Sequence, residues 1–355
     1  MRVRLEEVCE KQSSKLKQSD VIDQNGLYPV YGASGYLGNI NTYQQSNYYV
    51  AVVKDGAGIG RTMLLPPKSS IIGTMQYLIP KDNVLPEYLY YVVKAKHFEK
   101  YFSGATIPHI YFKDYKNEQF DLVSFEEQRE IINRIKKIEI IIDDLYKTLA
   151  LLDELVRARF VEMFGDENNS KGWEIVNIED VANVQVGVVI KPSQYYTDQN
   201  NGIKAFRSLN IGNGYIKDDD WVYFSEEGNK KNKKSILSTN DVLVVRSGAP
   251  GTACVVTSEY EGTNAIDVII AHPDFKKVDS YYLCTYTNMP HGKSQIIEGT
   301  GGAAQQHFNV GKYNKLKLML PPLEYQKQYV KFLEEIDKSR LLSNHSLSLI
   351  KSINF

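Results

Sequence analysis

Leu320-Pro321-Pro322-Leu323-Glu324-Tyr325-Gln326 leads into a long helical pattern, and so does Leu122-Val123-Ser124-Phe125-Glu126-Glu127-Gln128, 198 residues earlier. Their correspondence divides the chain into two copies of one plan. At the same offset His109 meets His307 and Tyr115 meets Tyr313. Further upstream, Val52-Val53-Lys54 and Gly56-Ala57 match Val244-Val245-Arg246 and Gly248-Ala249 at an offset of 192. Near the starts Leu5-Glu6-Glu7-Val8 resembles Ile178-Glu179-Asp180-Val181 at 173, so the second copy carries insertions on a shared frame. A period of this length exceeds the ~20 to 50 residues of a solenoid unit. It predicts a duplicated domain plus helix with pseudo-two-fold symmetry. Duplication for stability alone is the plain alternative, but the copies differ in their loops, where binding differences reside.

The helical patterns set the organisation: residues 1–122 as a first domain, 123–164 as a long helix, 165–320 as a second domain and 321–355 as a second long helix. In the first helix Ile131, Ile135, Ile138, Ile142, Leu145, Leu149, Leu152 and Val156 alternate spacings of 4 and 3. A repeat of 3.5 keeps one stripe facing a partner helix over many turns. Some forty residues from Phe125 to Phe164 span ~60 Å at ~1.5 Å each. Ser124 is the expected N-cap, with Glu127 completing a capping box, and Gly165 the expected stop. In the second helix Tyr329, Leu333, Ile336, Leu347 and Ile350 share a stripe, with Arg340 and Ser343 falling on it between them. The repeat therefore predicts two antiparallel helices forming a coiled coil with a polar middle; the alternative is that each helix packs only on its own domain.

Each half before its helix is α+β and strand-rich. Strands are expected over 48–53, 61–65, 71–79, 241–246, 252–257 and 265–271, and a helix over 84–102 and 280–296. A content of 43% hydrophobic and 24% charged residues excludes a wholly disordered chain. Lysine and arginine number 42 against 43 acids, which excludes a uniformly basic binder but leaves room for local basic patches. The 25 tyrosines suit strands and half-wet contact surfaces alike. Three cysteines without C-x-x-C spacing, a charged N-terminus and no long apolar run make a reducing cytoplasm the expected compartment, with no membrane span.

Motifs for chemistry are few. Gly56-Ala57-Gly58-Ile59-Gly60 follows a strand, as a cofactor loop does, but another strand follows it where phosphate binding needs a helix N-terminus. A hairpin turn is the better reading. The six histidines lack zinc-ligand spacing, so no metal site follows, and no nucleophile elbow or Walker loop is present. Reading of nucleic acid is the stronger prospect. It needs cations for phosphates and paired donors and acceptors for base edges. Candidates are Tyr31, Ser34, Lys54, Arg61, Thr106, His109 and Tyr111 in the first copy. Arg207, Asn210, Arg246, Ser247, Gln305, Gln306, His307 and Asn309 are those of the second. Lys230-Lys231-Asn232-Lys233-Lys234 reads as a solvated turn, and either histidine can equally anchor the strand after its loop.

Over nearly its whole length the chain resembles specificity subunits of type I restriction-modification systems. The resemblance rests on the duplication, on Pro29-Val30-Tyr31-Gly32-Ala33-Ser34-Gly35, on Ser103-Gly104-Ala105-Thr106 leading to His109, and on the Pro321-Pro322 motif that opens the second long helix. It implies two similar target-recognition domains, each reading one half of a bipartite double-stranded DNA target, with the helices setting the gap. It implies no intrinsic catalysis and no cofactor on this chain. Two modification (methyltransferase) subunits would bring S-adenosylmethionine, and restriction (motor and nuclease) subunits ATP and Mg. The competing functions are a stand-alone S-adenosylmethionine-dependent DNA methyltransferase using the 56–60 turn, and a coiled-coil scaffold without a DNA role.

Overall fold

The computed structural model describes residues 1–22, 25–104, 108–300 and 308–352. They form two compact units: Met1–Leu145 with the chain from Leu347 onward, and Tyr146–Ser346.

The first unit is built on Tyr49–Val53, whose five residues are all buried, as a strand covered on both faces requires. With β1 (Cys9–Ser13), β2 (Tyr49–Val53), β3 (Thr62–Leu65) and β4 (Met75–Pro80), the sheet order is β1-β4-β2-β3, all antiparallel. A second sheet has Tyr28–Gly32 at its centre, antiparallel to Gly35–Ile40 and parallel to Ser70–Ile71. The second unit repeats both. Its β5 (Ala182–Val186), β6 (Val242–Val245), β7 (Ala253–Val255) and β8 (Val268–Pro273) run β5-β8-β6-β7, with β6 buried throughout. Ile203–Phe206 is antiparallel to Val222–Phe224 and parallel to Asn264–Ala265. Each unit also pairs its first strand with the strand before its long helix, Arg2–Arg4 with Gln119–Asp121 and Glu174–Asn177 with Lys317–Leu320.

Several elements are shorter than the pattern predicts, each for a local reason. The helix expected over 84–102 is α1 (Pro86–Ala95). It ends before His97, which takes φ 51°, and a 3₁₀ turn follows at Phe98–Tyr101. The long helices are α2 (Phe125–Phe164) and α5 (Leu323–Ser352). Between them, the helix expected over 280–296 is split into α3 (Ser280–Asn288) and α4 (Pro290–Thr300), because Pro290 has no N–H to continue the first. The strand expected over 265–271 is interrupted at Asp267, φ 50°. The lysine run expected as a turn is partly helical: Ser225 caps Glu226–Lys231, and Glu226–Lys230 and Glu227–Lys231 pair along it at 3.4 and 2.8 Å.

The long helices follow the sequence closely. Ser124 Oγ accepts from the Glu127 N–H at 3.3 Å and the Glu127 carboxylate accepts from the Ser124 N–H at 3.0 Å, closing the capping box; Gly165, φ 90°, ends the helix. Ile131, Ile135, Ile138, Ile142, Leu145, Leu149, Leu152 and Val156 are all half-buried, between mostly exposed neighbours. On α5 the buried or half-buried stripe is Gln326, Tyr329, Leu333, Ile336, Arg340, Ser343, Leu347 and Ile350. Within the second unit the two helices pack against each other. Tyr329 meets Phe160 and Phe164 at ring separations of 5.5 and 5.4 Å, and its hydroxyl donates to the Val156 carbonyl at 3.3 Å. Further along α5, Arg340 reaches Asp153 at 2.5 Å. As α5 advances from 329 to 340 its partner residues on α2 fall from 160 to 153, so the pair is antiparallel. Arg340, the cation that interrupts the apolar stripe, finds its counter-charge on the facing helix.

Candidate nucleic-acid interface

The glycine-rich stretches close hairpins. In the first unit the Val53 N–H donates to the Arg61 carbonyl at 2.9 Å and the Gly60 N–H to Val53 at 2.9 Å; in the second, Val245 and Gly251 make the same bonds with Thr252 and Val245 at 2.8 and 2.9 Å. Gly56 (φ 93°) and Gly248 (φ 85°) stand at equivalent places, and among the described residues a Cβ on either would meet nothing within 4 Å. Left-handed backbone selects glycine there.

A second loop is fastened beside each hairpin. Ser103 and His109 exchange two backbone bonds of 2.8 Å, Gly56 donates to the Pro108 carbonyl at 3.0 Å, and Ile110 donates to that of Lys54 at 2.9 Å. His109 Nδ1 lies 2.7 Å from the Asp55 carboxylate. In the second unit Phe308 donates to the Arg246 carbonyl at 2.9 Å, the counterpart of the Ile110 bond. The readers expected inside these loops, Thr106, Gln305, Gln306 and His307, lie outside the described residues.

Beside each hairpin opens a cleft of about 440 Å³. The first lies between Gly32-Ala33-Ser34 and the turn carrying Gly58 and Arg61; the second lies between 208–217 and the turn carrying Ser247 and Gly248. The same two structural elements thus frame a cavity in both units, with different side chains.

The sequence-derived candidates separate clearly. Ser34 and Arg61 are exposed and line the first cleft, and Ser247 lines the second. Arg61 Nη1 donates to the Ala33 carbonyl at 2.7 Å. Tyr111 is exposed, with the Lys113 ammonium 5.3 Å above its ring. Tyr31 is half-buried at the end of its strand and meets Tyr36 edge-on at 6.2 Å; burial pushes its hydroxyl pKa up. Lys54 is half-buried, 3.6 Å from Asp55.

Other candidates have structural roles. Asn210 is fully buried, accepts from the Arg207 N–H at 2.9 Å and donates to the Asp219 carbonyl at 2.8 Å, so it pins its loop and presents nothing to solvent. Arg207 is bound by the carbonyl and carboxylate of Asp220, and Arg246 by Asp267 at 3.1 Å with only 17% of its side chain exposed. Asn309 caps the short helix Val310–Asn314 through a bond from the Lys312 N–H. Cleft residues that sequence reasoning passed over are Gln18 in the first unit and Asn213, Tyr215 and Lys217 in the second. Tyr215 is 58% exposed, and nothing in its spacing distinguishes it from an ordinary loop residue.

With this geometry in view, the family described as type I restriction modification DNA specificity domain matches residues 1–152 and 170–352, and the chain belongs to it. Among its relatives is the type I restriction enzyme MjaVIII specificity subunit of Methanocaldococcus jannaschii, 23% identical over 309 residues, covering 81% of this chain and 72% of that one. The MjaIX specificity subunit of the same organism is 20% identical over 300 residues, covering 78% and 68%. In fold, the chain is similar to the type I restriction-modification S subunit from M. genitalium (TM-score 0.60, 14% identity, 100% of this chain and 93% of that one). It is also similar to a chain from a type I restriction-modification structure concerned with complex assembly and conformational transition (TM-score 0.63, 15% identity, 100% and 95%). The chain is a specificity subunit of the type I class, and its part in the system is DNA recognition, not catalysis. Among the described residues no helix is long and apolar enough to cross a membrane.

Proposed function

We propose that each unit reads one half of a bipartite DNA target through the loops that frame its cleft, and that α2 and α5 set the gap between the halves. The observation that carries this reading is the equivalence of the two clefts: the same hairpin and loop enclose the same volume in both units, lined by different polar groups. A shared frame with exchanged side chains is what two readers of different sequences need, since base edges differ in their donor and acceptor pattern.

We infer the rest of the assembly from the class. Two modification subunits supply S-adenosylmethionine and methyl transfer, and restriction subunits supply ATP- and Mg-dependent translocation and cleavage, in the cytoplasm. In the second unit, exposed Leu151 and Leu155 on α2 and Leu341 and Leu342 on α5 offer the modification subunits apolar groups to dock on. Methylation mapping in cells carrying the intact system tests the reading. A target of two defined halves separated by unspecified bases is expected, and replacing 299–309 by the equivalent loop of another specificity subunit alters one half and spares the other. A continuous, single-part target would refute it.

A further inference from the structure

Three arginines were candidates to read bases, and the structure leaves one of them available. Arg207 and Arg246 are held by Asp220 and Asp267, with 27% and 17% of their side chains exposed. Arg61 is exposed, and among the described residues no carboxylate pairs with it and its single side-chain hydrogen bond is the one from Nη1 to the Ala33 carbonyl. That bond ties the guanidinium to the 32–34 loop in the lining of the first cleft, beside Gly58, whose added Cβ would lie 3.6 to 3.8 Å from the guanidinium atoms. The acid of the same cleft, Asp55, is engaged by His109 at 2.7 Å and lies 3.6 Å from Lys54. Among the described residues Nε and Nη2 therefore have no acceptor, while Nη1 anchors the group to the 32–34 loop. In the second unit the residue making the equivalent hairpin bond is Thr252, so the feature belongs to one half only.

On the reading that the clefts face DNA, we infer that Arg61 reads a guanine in the half of the target bound by the first unit, donating to its O6 and N7. A planar fork with two free donors matches those two acceptors, the pairing that best separates guanine from other bases in the major groove. A phosphate contact would need only charge. It would not need one nitrogen anchored so that the other two form a fork.

The test compares the complete complex with Arg61 intact and with Arg61→Ala, Arg61→Gln and Arg61→Lys, by methylation mapping in cells and by duplex binding in vitro. The expected result is that one guanine in one half loses its identity in the Ala and Gln variants, with roughly ten- to hundredfold less discrimination at that position, while the other half keeps its sequence. Wild-type complex should also bind about tenfold more weakly to a duplex carrying 7-deazaguanine there, since N7 is the acceptor removed. This second arm needs no variant to fold. Equal weakening on all sequences with a shallower salt dependence would make Arg61 a phosphate contact and overturn the inference. An unchanged motif, or a first half without guanine, would also overturn it and leave the bipartite reading standing. A wild-type target of one continuous part would instead defeat the reading on which the inference rests.

Discussion

Gln128 and Gln326 occupy the same place in the two halves, and each is completely buried. The Gln128 carbonyl oxygen accepts from the Leu85 N–H at 2.8 Å, while its amide donates to the Asn83 and Val123 carbonyls at 3.3 and 3.0 Å. Gln326 does the same with Asp279, Lys277 and Pro321 at 2.8, 3.1 and 2.8 Å. One side chain thus ties the start of a long helix to the start of the helix inside its domain. Only an amide both accepts and donates in this way. Gln128→Ala and Gln326→Ala should each destabilise the protein by about 2–4 kcal/mol, through stranded backbone groups and a cavity, read by chemical denaturation. Glu at either position should be no better, because a carboxylate cannot donate to the two carbonyls. The cysteines give a second expectation at this scale. All three are buried free thiols, and burial pushes Cys9 and Cys284 up to about 12 and Cys254 well above its ordinary range. Thiolate is the reactive form, so a thiol reagent at pH 8 should titrate none in the native protein and three after denaturation.

At the scale of elements, the long helices were legible from the sequence because a 3.5-residue stripe depends only on residue type at short range. The clefts were not. Gln18, Ser34, Arg61 and Thr74 reach the first from four separate segments, and whether a polar side chain faces water is decided by partners far along the chain. Arg207, Asn210 and Arg246 looked like readers for that reason: the acids and carbonyls that occupy them, at 219, 220 and 267, became neighbours only on folding. The polar middle of the coil shows the reverse case, where the sequence posed a question that the structure answers. Arg340 lies on the seam, 2.5 Å from Asp153 and 3.1 Å from Asp337. A polar residue in an apolar seam fixes register at some cost in stability. Arg340→Leu should therefore stabilise by about 1 kcal/mol. Arg340→Glu should lose about 1–2 kcal/mol by bringing three carboxylates together. Urea unfolding followed by circular dichroism distinguishes them, and equal effects of the two variants would show that the ion pair does not set register.

At the scale of the whole molecule, duplication means that one frame is used twice, and the differences between the copies carry the information. Recognition of each half is then separable. Asn213→Ala with Tyr215→Ala, in the cleft of the second unit, should change bases in one half of the methylated target and leave the half affected by Arg61 variants intact, as mapped across the genome. On the proposed reading the gap is separable too, because the helices and not the clefts would set it. A heptad inserted into α2 and a matching one into α5 keeps both apolar stripes in phase, since seven residues are two turns of the 3.5-residue pattern. Each insertion adds ~10 Å at ~1.5 Å per residue, so the gap should lengthen by up to about three base pairs at ~3.4 Å each, with the sequences of both halves unchanged. Inserting three residues should instead put the stripe out of phase and abolish methylation, because the added length would rotate the apolar residues off the partner helix. A seven-residue variant that kept the original gap would mean that the loops, and not the helices, measure the distance.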